Sequence, residues 1–189
     1  MQLTLVTPPA VEPITLAEAK LHAKVDTSAD DTLIGDLIVA ARQYAEQYTQ
    51  RAFINQTWRL TLDYYEFNFE RRYIELDKGN IDSIASFNCY DSNNNVALFA
   101  NTNYRLSGSR LVLDDKAEWP IFNRLYEAVS IDYVAGFGAT AADVPQAIKQ
   151  AILMLVDHYY INRLATSAPV NTLPFGVQAL LQTYRIFSL

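Results

Sequence analysis

Two histidines, His22 and His158, are the only imidazoles in the chain. Either could act as a general base or a metal ligand. They lie far apart in sequence, and neither has another His at metal spacing. Two adjacent acidic pairs, Asp30-Asp31 and Asp114-Asp115, have the chemistry to hold Mg²⁺ or to do acid–base work. The first pair sits where a helix begins and reads as capping. The second reads as turn chemistry. Gly136-Phe137-Gly138 follows a strand and precedes a helix, as a dinucleotide-binding loop does. Ala141 stands several residues ahead of the capped helix start at Asp143, however, and only one strand–helix unit of this kind occurs. The glycines therefore read as freedom for the chain to leave a sheet and turn. The single cysteine, Cys89, excludes an internal disulfide and a Cys-based zinc site. Its neighbours Asn88, Tyr90 and Asp91 supply no basic partner to make it a reactive thiolate. Arg71-Arg72, near Phe67, Phe69 and Tyr73, combines charge and rings as a single-strand nucleic-acid patch would. An exposed β-turn with ordinary solubilising charge is the preferred reading. No nucleophile elbow and no Walker loop occurs. The expectation is no catalytic, metal or cofactor-binding residue, hence no enzyme and no cofactor.

Composition agrees with that expectation. The 189 residues carry 15 basic and 21 acidic side chains, a net charge of −6. A protein that grips nucleic acid by counterion release needs clustered Lys and Arg, which are lacking here. Half of the residues are hydrophobic and 19% are charged, a normal globular balance. No apolar run approaches the ~20 residues of a membrane span. The opening Met1-Gln2-Leu3-Thr4 lacks a basic n-region, so no signal peptide is expected and synthesis in the cytoplasm follows.

The elements that must carry these residues come in a definite order. Pro8, Pro9 and Pro13 make residues 1–13 an extended arm. Thr15 and Glu18 form a capping box opening a short helix over 16–25. A second helix is predicted over 31–51, with Ile34, Leu37, Ile38, Ala41, Ala45, Tyr48 and Ala52 on one face. The period then drops to two at Trp58, Leu60, Leu62 and Tyr64. Turn signals at Asp77-Lys78-Gly79-Asn80, Ser92-Asn93-Asn94-Asn95 and Ser107-Gly108-Ser109 divide residues 56–137 into about six short strands. Helix returns over 144–163, with Asp143 as N-cap and Gln146 completing a capping box. After a loop at 164–174, a terminal helix follows over Val177–Arg185. The fold class is α+β. A helical core drawn from both chain ends (1–55 and 138–189) is interrupted by an inserted antiparallel β unit (56–137).

The 144–163 helix is apolar on most sides, so it is buried all round or lies between a core and a partner. Met154, Val156 and Tyr160 are candidate interaction residues on that ground. Phe175, Leu180, Leu181 and Tyr184 join them, because a terminal stretch so rich in apolar side chains must dock somewhere.

Two blocks of the sequence resemble a known family. The first is Glu12-Pro13-Ile14-Thr15-Leu16-Ala17-Glu18-Ala19-Lys20-Leu21, followed by Asp30-Asp31-Thr32-Leu33-Ile34, Tyr48-Thr49-Gln50-Arg51 and Trp58. The second is Tyr133-Val134-Ala135-Gly136-Phe137-Gly138, Asp143-Val144-Pro145, Ile148 to Ile152 and Tyr159 to Arg163. In this order, flanking a β insertion, they are similar to the head–tail connector proteins of tailed phages and prophages. The resemblance implies a structural protein of the virion neck: a homo-oligomeric ring, free or formed only on the portal protein. It would also contact a stopper or tail-completion protein and leave a channel for DNA. It brings no catalytic residue and no membrane association. Another neck or tail-completion protein is the alternative within this class. A small enzyme or cofactor-binder built around Gly136-Phe137-Gly138 is the alternative outside it.

Overall fold

The computed structural model describes residues 1–162 and 175–187, and they form a mixed α+β protein. The chain divides into two compact units. One holds Met1–Pro9 and Asn55–Phe137, the other Ala10–Ile54 and Gly138–Leu189.

The second unit is helical. Helix α1 (Leu16–Ala23) opens with the expected capping box: Glu18 N donates to Thr15 Oγ1, and Thr15 N donates back to the Glu18 carboxylate at 2.6 Å. Lys24 ends it in the left-handed region, donating to the carbonyls of Leu21 and Lys20. Helix α2 (Asp31–Thr49) buries Ile34, Ile38, Ala41 and Ala45, the predicted stripe. Alanines on such a stripe let a neighbouring helix approach closely. Helix α3 (Gln146–Ile161) buries Ile148, Ala151, Ile152, Leu155 and Val156. Helix α4 (Phe175–Gln182) buries Val177 and Leu181. All four helices meet: α2 packs on α1, α3 and α4, and α3 on α1 and α4.

The start of α3 differs from expectation. Asp143 does not reach forward as an N-cap. Its carboxylate turns back to accept from Thr140 N at 2.9 Å and Thr140 Oγ1 at 2.8 Å, closing a capping box on the single 3₁₀ turn Ala141–Asp143. Pro145 is the residue before α3 and makes no side-chain cap. Gly138 is set by the same carboxylate. A Cβ there would overlap the Asp143 carboxyl group and lie 2.6 Å from Asp143 Cβ. Gly138 serves close packing; neither it nor Gly136 has a positive φ, so the turn-making freedom expected of them is not what they supply.

The first unit is β. Strand β1 (Gln2–Thr7) was expected only as an extended arm; it pairs antiparallel with β2 (Gln56–Leu62) from Gln2↔Thr61 to Thr7↔Thr57. Next come β3 (Tyr73–Glu75), β4 (Ile81–Tyr90), β5 (Val96–Leu98), β6 (Tyr104–Ser107), β7 (Arg110–Leu113) and β8 (Val129–Ala135). Seven strands, not about six, therefore fall within 56–137, and they join two sheets. One runs β1-β2-β8-β4-β5, the other β3-β7-β6, and every pair is antiparallel. Strands β2 and β8 are central and bury Leu60, Val129, Ile131, Tyr133 and Ala135 completely. Burial pushes the Tyr133 phenol above its ordinary range, and its OH donates to the Asp77 carbonyl at 3.2 Å. Arg59 and Asp132, directly opposite in register, make a bidentate pair at 2.6 and 2.7 Å. Aromatic rings fill the space beside the sheets: Phe67 lies 5.0 Å from Phe122 and 5.2 Å from Trp119, and Phe87 lies 5.1 Å from Phe99.

Candidate interaction surfaces

Several of the residues with reactive chemistry have structural roles. Asp31 Oδ1 accepts from Lys20 Nζ at 2.6 Å, and Asp30 Oδ2 accepts from Tyr160 OH at 2.6 Å. The Asp30 side chain makes no cap bond, contrary to the capping expectation. The pair ties the α1–α2 loop to α1 and α3 instead. Asp114 closes a turn, its carbonyl accepting from Arg72. Arg72 also donates to the Ala117 carbonyl at 3.2 Å, and Trp119 Nε1 donates to the Arg71 carbonyl at 2.7 Å. The basic pair thus fastens the 114–119 segment to β3. An open cavity of about 340 Å³ beside it is lined by Phe69, Glu70, Arg72, Leu113, Glu118 and Trp119, with two carboxylates against one guanidinium. That balance does not suit a phosphate backbone. Cys89 is 1% exposed, and burial pushes its thiol up to about 12, so it stays protonated. His22 is exposed on α1, and His158 Nδ1 lies 3.2 Å from Asn162 Nδ2. Among the described residues no three His, Cys, Asp or Glu side chains form a metal-holding group. No described helix is long and apolar enough to cross a membrane.

One buried network escaped the sequence reading. Arg42, 5% exposed on the inner stripe of α2, donates through Nε to Glu12 and through Nη1 to Glu46, both at 2.7 Å. Glu46 Oε1 also accepts from Phe53 N at 2.9 Å. The three side chains pin the segment before α1 and the segment after α2 to one helix. The signal was available: an Arg inside an apolar stripe, with Glu four residues on.

The seven candidate interaction residues fall into distinct places. Val156 and Leu181 are core residues at 1% and 0% exposure. Met154, Tyr160, Leu180 and Tyr184 are half-buried. Met154 meets α4 where a Cβ on Gly176 would stand 2.9 Å from its Cε, so the absent side chain at Gly176 lets the two helices close up. Phe175 is the outward one, at 86% exposure. The terminal segment docks on its own helical unit. Arg51 Nε donates to the Tyr184 carbonyl at 2.6 Å, Ile186 N donates to the Thr49 carbonyl at 3.0 Å, and Arg185 lies over the Tyr48 ring. The expected loop at 164–174 lies outside the described residues.

Exposed apolar side chains occur on the β unit as well. Leu5 and Val6 protrude from β1, and Val96 and Leu98 from β5. Tyr65, Phe69, Ile121, Leu125 and Tyr126 protrude from two adjoining loops, joined where Tyr64 N donates to the Leu125 carbonyl. Patches of this kind mark protein contact rather than chemistry.

Residues 13–77 match the family of phage gp6-like head–tail connector proteins. The whole chain is also similar to the neck of an empty gene transfer agent particle computed with C6 symmetry. The TM-score is 0.83 at 26% identity, covering 100% of this chain and 97% of that one. The chain is similar as well to chains in the virion of a native gene transfer agent particle (TM-score 0.79, 25% identity) and in a native neck computed with C12 symmetry (0.76, 25%). Each likeness covers 100% of this chain and 97% of the other. No curated protein sequence matches this chain. The family match spans α1, α2, β2 and β3, and it starts one residue after Glu12 of the buried Glu12–Arg42–Glu46 network. The family and the neck chains that it resembles are structural virion proteins, not enzymes.

Proposed function

We propose that this protein is a head–tail connector that forms a ring in the neck of a phage or prophage-derived particle. It sits between the portal protein on one side and a stopper or tail-completion protein on the other, and DNA passes through its channel without specific binding. The observation that carries this reading is the likeness, along the entire chain, to neck chains solved with six-fold and twelve-fold symmetry. The net charge of −6 supports it, because a negatively charged channel wall lets DNA slide without adhering.

Within this reading the helical unit, drawn from both chain ends, is the connector core, and the β unit over 56–137 is an insertion that adds contact surface. On the helical unit, Phe175 meets a partner directly. Met154, Tyr160, Leu180 and Tyr184 shape the surface around it, and Val156 and Leu181 support that surface from beneath. Electron microscopy of purified connector mixed with portal rings tests the proposal. A new ring of density stacked on the portal is the expected result, and unchanged portal density overturns it.

A further inference from the structure

Both borders of the five-stranded sheet include stretches with no strand beside them among the described residues. Strand β1 pairs with β2 on one side and, among the described residues, has no strand on the other. Its six residues include no charge and no proline, and Leu5 and Val6 are 41% and 45% exposed. At the opposite border β5 covers β4 only at Asn88–Tyr90. The stretch Ile81–Ser86 of β4 has no strand beside it among the described residues, and Asp82, Ser83 and Ala85 on it are exposed. Strand β5 is uncharged too, with Val96 and Leu98 at 57% and 70% exposure. Edge strands normally carry lysine, proline or inward charges, because bare N–H and C=O groups recruit another strand.

We propose that these borders join neighbouring copies: β1 of one connector adds as a strand to the β4–β5 border of the next, so the sheet continues from subunit to subunit. This rests on the ring reading given above. A ring needs two different, mutually complementary surfaces on each copy. One sheet with two unlike open borders provides such a pair, whereas a foreign strand would cover one border and leave the other bare. Strand direction also agrees. All neighbours in the sheet are antiparallel, so β1, β8 and β5 run one way and β2 and β4 the other. A copy turned about a ring axis keeps its sense, which brings β1 antiparallel to β4. Irregularities in β4 at Ile81/Ser83 and Ile84/Ser86 shorten the regular stretch, so the new pairing is a few residues long.

Cysteine cross-linking in connector–portal mixtures tests this. Two double variants place thiols on the two borders in two antiparallel registers, Thr4→Cys with Ser83→Cys and Thr4→Cys with Ala85→Cys, all at exposed positions. The native Cys89 is buried and silent. At least one pair is expected to give, on oxidation, a ladder of cross-linked chains, while the single variants give none. Rings visible by microscopy without a ladder from either pair overturn the border pairing and leave the ring reading standing. Cross-linked dimers from Thr4→Cys alone overturn it in favour of β1–β1 pairing. Absence of any ring overturns both readings. In a second variant, Leu5→Lys with Val6→Lys, the monomer is expected to melt as wild type while the ring-forming concentration rises about tenfold or more. Unchanged ring formation by that variant contradicts the proposal.

Discussion

Arg51, two residues beyond α2, donates through Nε to the carbonyl of Tyr184, two residues beyond α4, at 2.6 Å. Burial lowers the Arg51 pKa from its ordinary value, and the bond gives the partly desolvated guanidinium an acceptor. The end of the chain is therefore part of the helical unit rather than a free tail. Leu181→Ala is expected to cost about 2–5 kcal/mol in denaturant melts, since Leu181 is fully buried. Phe175→Ala is expected to leave stability within about 0.5 kcal/mol, because the side chain is 86% exposed. Truncation after Ala168 should destabilise more than Leu181→Ala. A truncated chain melting like wild type would show that the terminal segment is not core.

Arg42→Met is expected to destabilise by about 3 kcal/mol. It leaves Glu46, whose side chain is 13% exposed, without its cation. Glu12→Gln, which keeps a hydrogen-bond acceptor beside Arg42 Nε, should cost clearly less. Equal losses from the two substitutions would mean that the network acts only through packing.

Gly138→Ala is expected to cost about 1–3 kcal/mol, as overpacking does. The added methyl would displace the Asp143 carboxylate from Thr140. Gly35→Ala is the control: its Cβ meets nothing within 4 Å, and alanine favours the helix. Equal stabilities of Gly138→Ala and wild type would show that Asp143 holds nothing in place there.

Acid lability follows from the caps. Hydrogen bonds from the Thr15 backbone and side chain lower the Glu18 pKa from 4.5, and the same two bonds from Thr140 lower that of Asp143 from 3.8. A depressed folded pKa adds stability above the unfolded value and loses it as pH falls through the folded one. Stability should hold from neutral pH to the ordinary carboxylate range and decline below it. Glu18→Gln combined with Asp143→Asn should be weaker at pH 7 and show a shallower decline, measured by melts across pH. An unaltered decline in that variant would place the acid-sensitive groups elsewhere.

The local elements were legible in the amino-acid sequence because each is encoded over short distances. Thr15 and Glu18 announce the start of α1, the stripe Ile34–Ala45 has the helical period, and Gly108 with φ +62° supplies the turn between β6 and β7. The connector resemblance was legible for the same reason, being carried by short blocks at Glu12–Leu21 and Tyr133–Pro145. Tertiary structure alone decided what depends on partners far away in the chain. Residues 2–7 are a strand rather than a loose arm because β2 offers them an edge more than fifty residues later. Arg42 is tolerated in a core because Glu12, thirty residues before it, comes to meet it. Val156, Leu181 and Phe175 look alike as apolar letters. Only the packing of α4 on α2 and α3 buries the first two and leaves Phe175 in solvent. Hydrophobicity is a property of a residue, whereas burial depends on which surfaces the fold brings together.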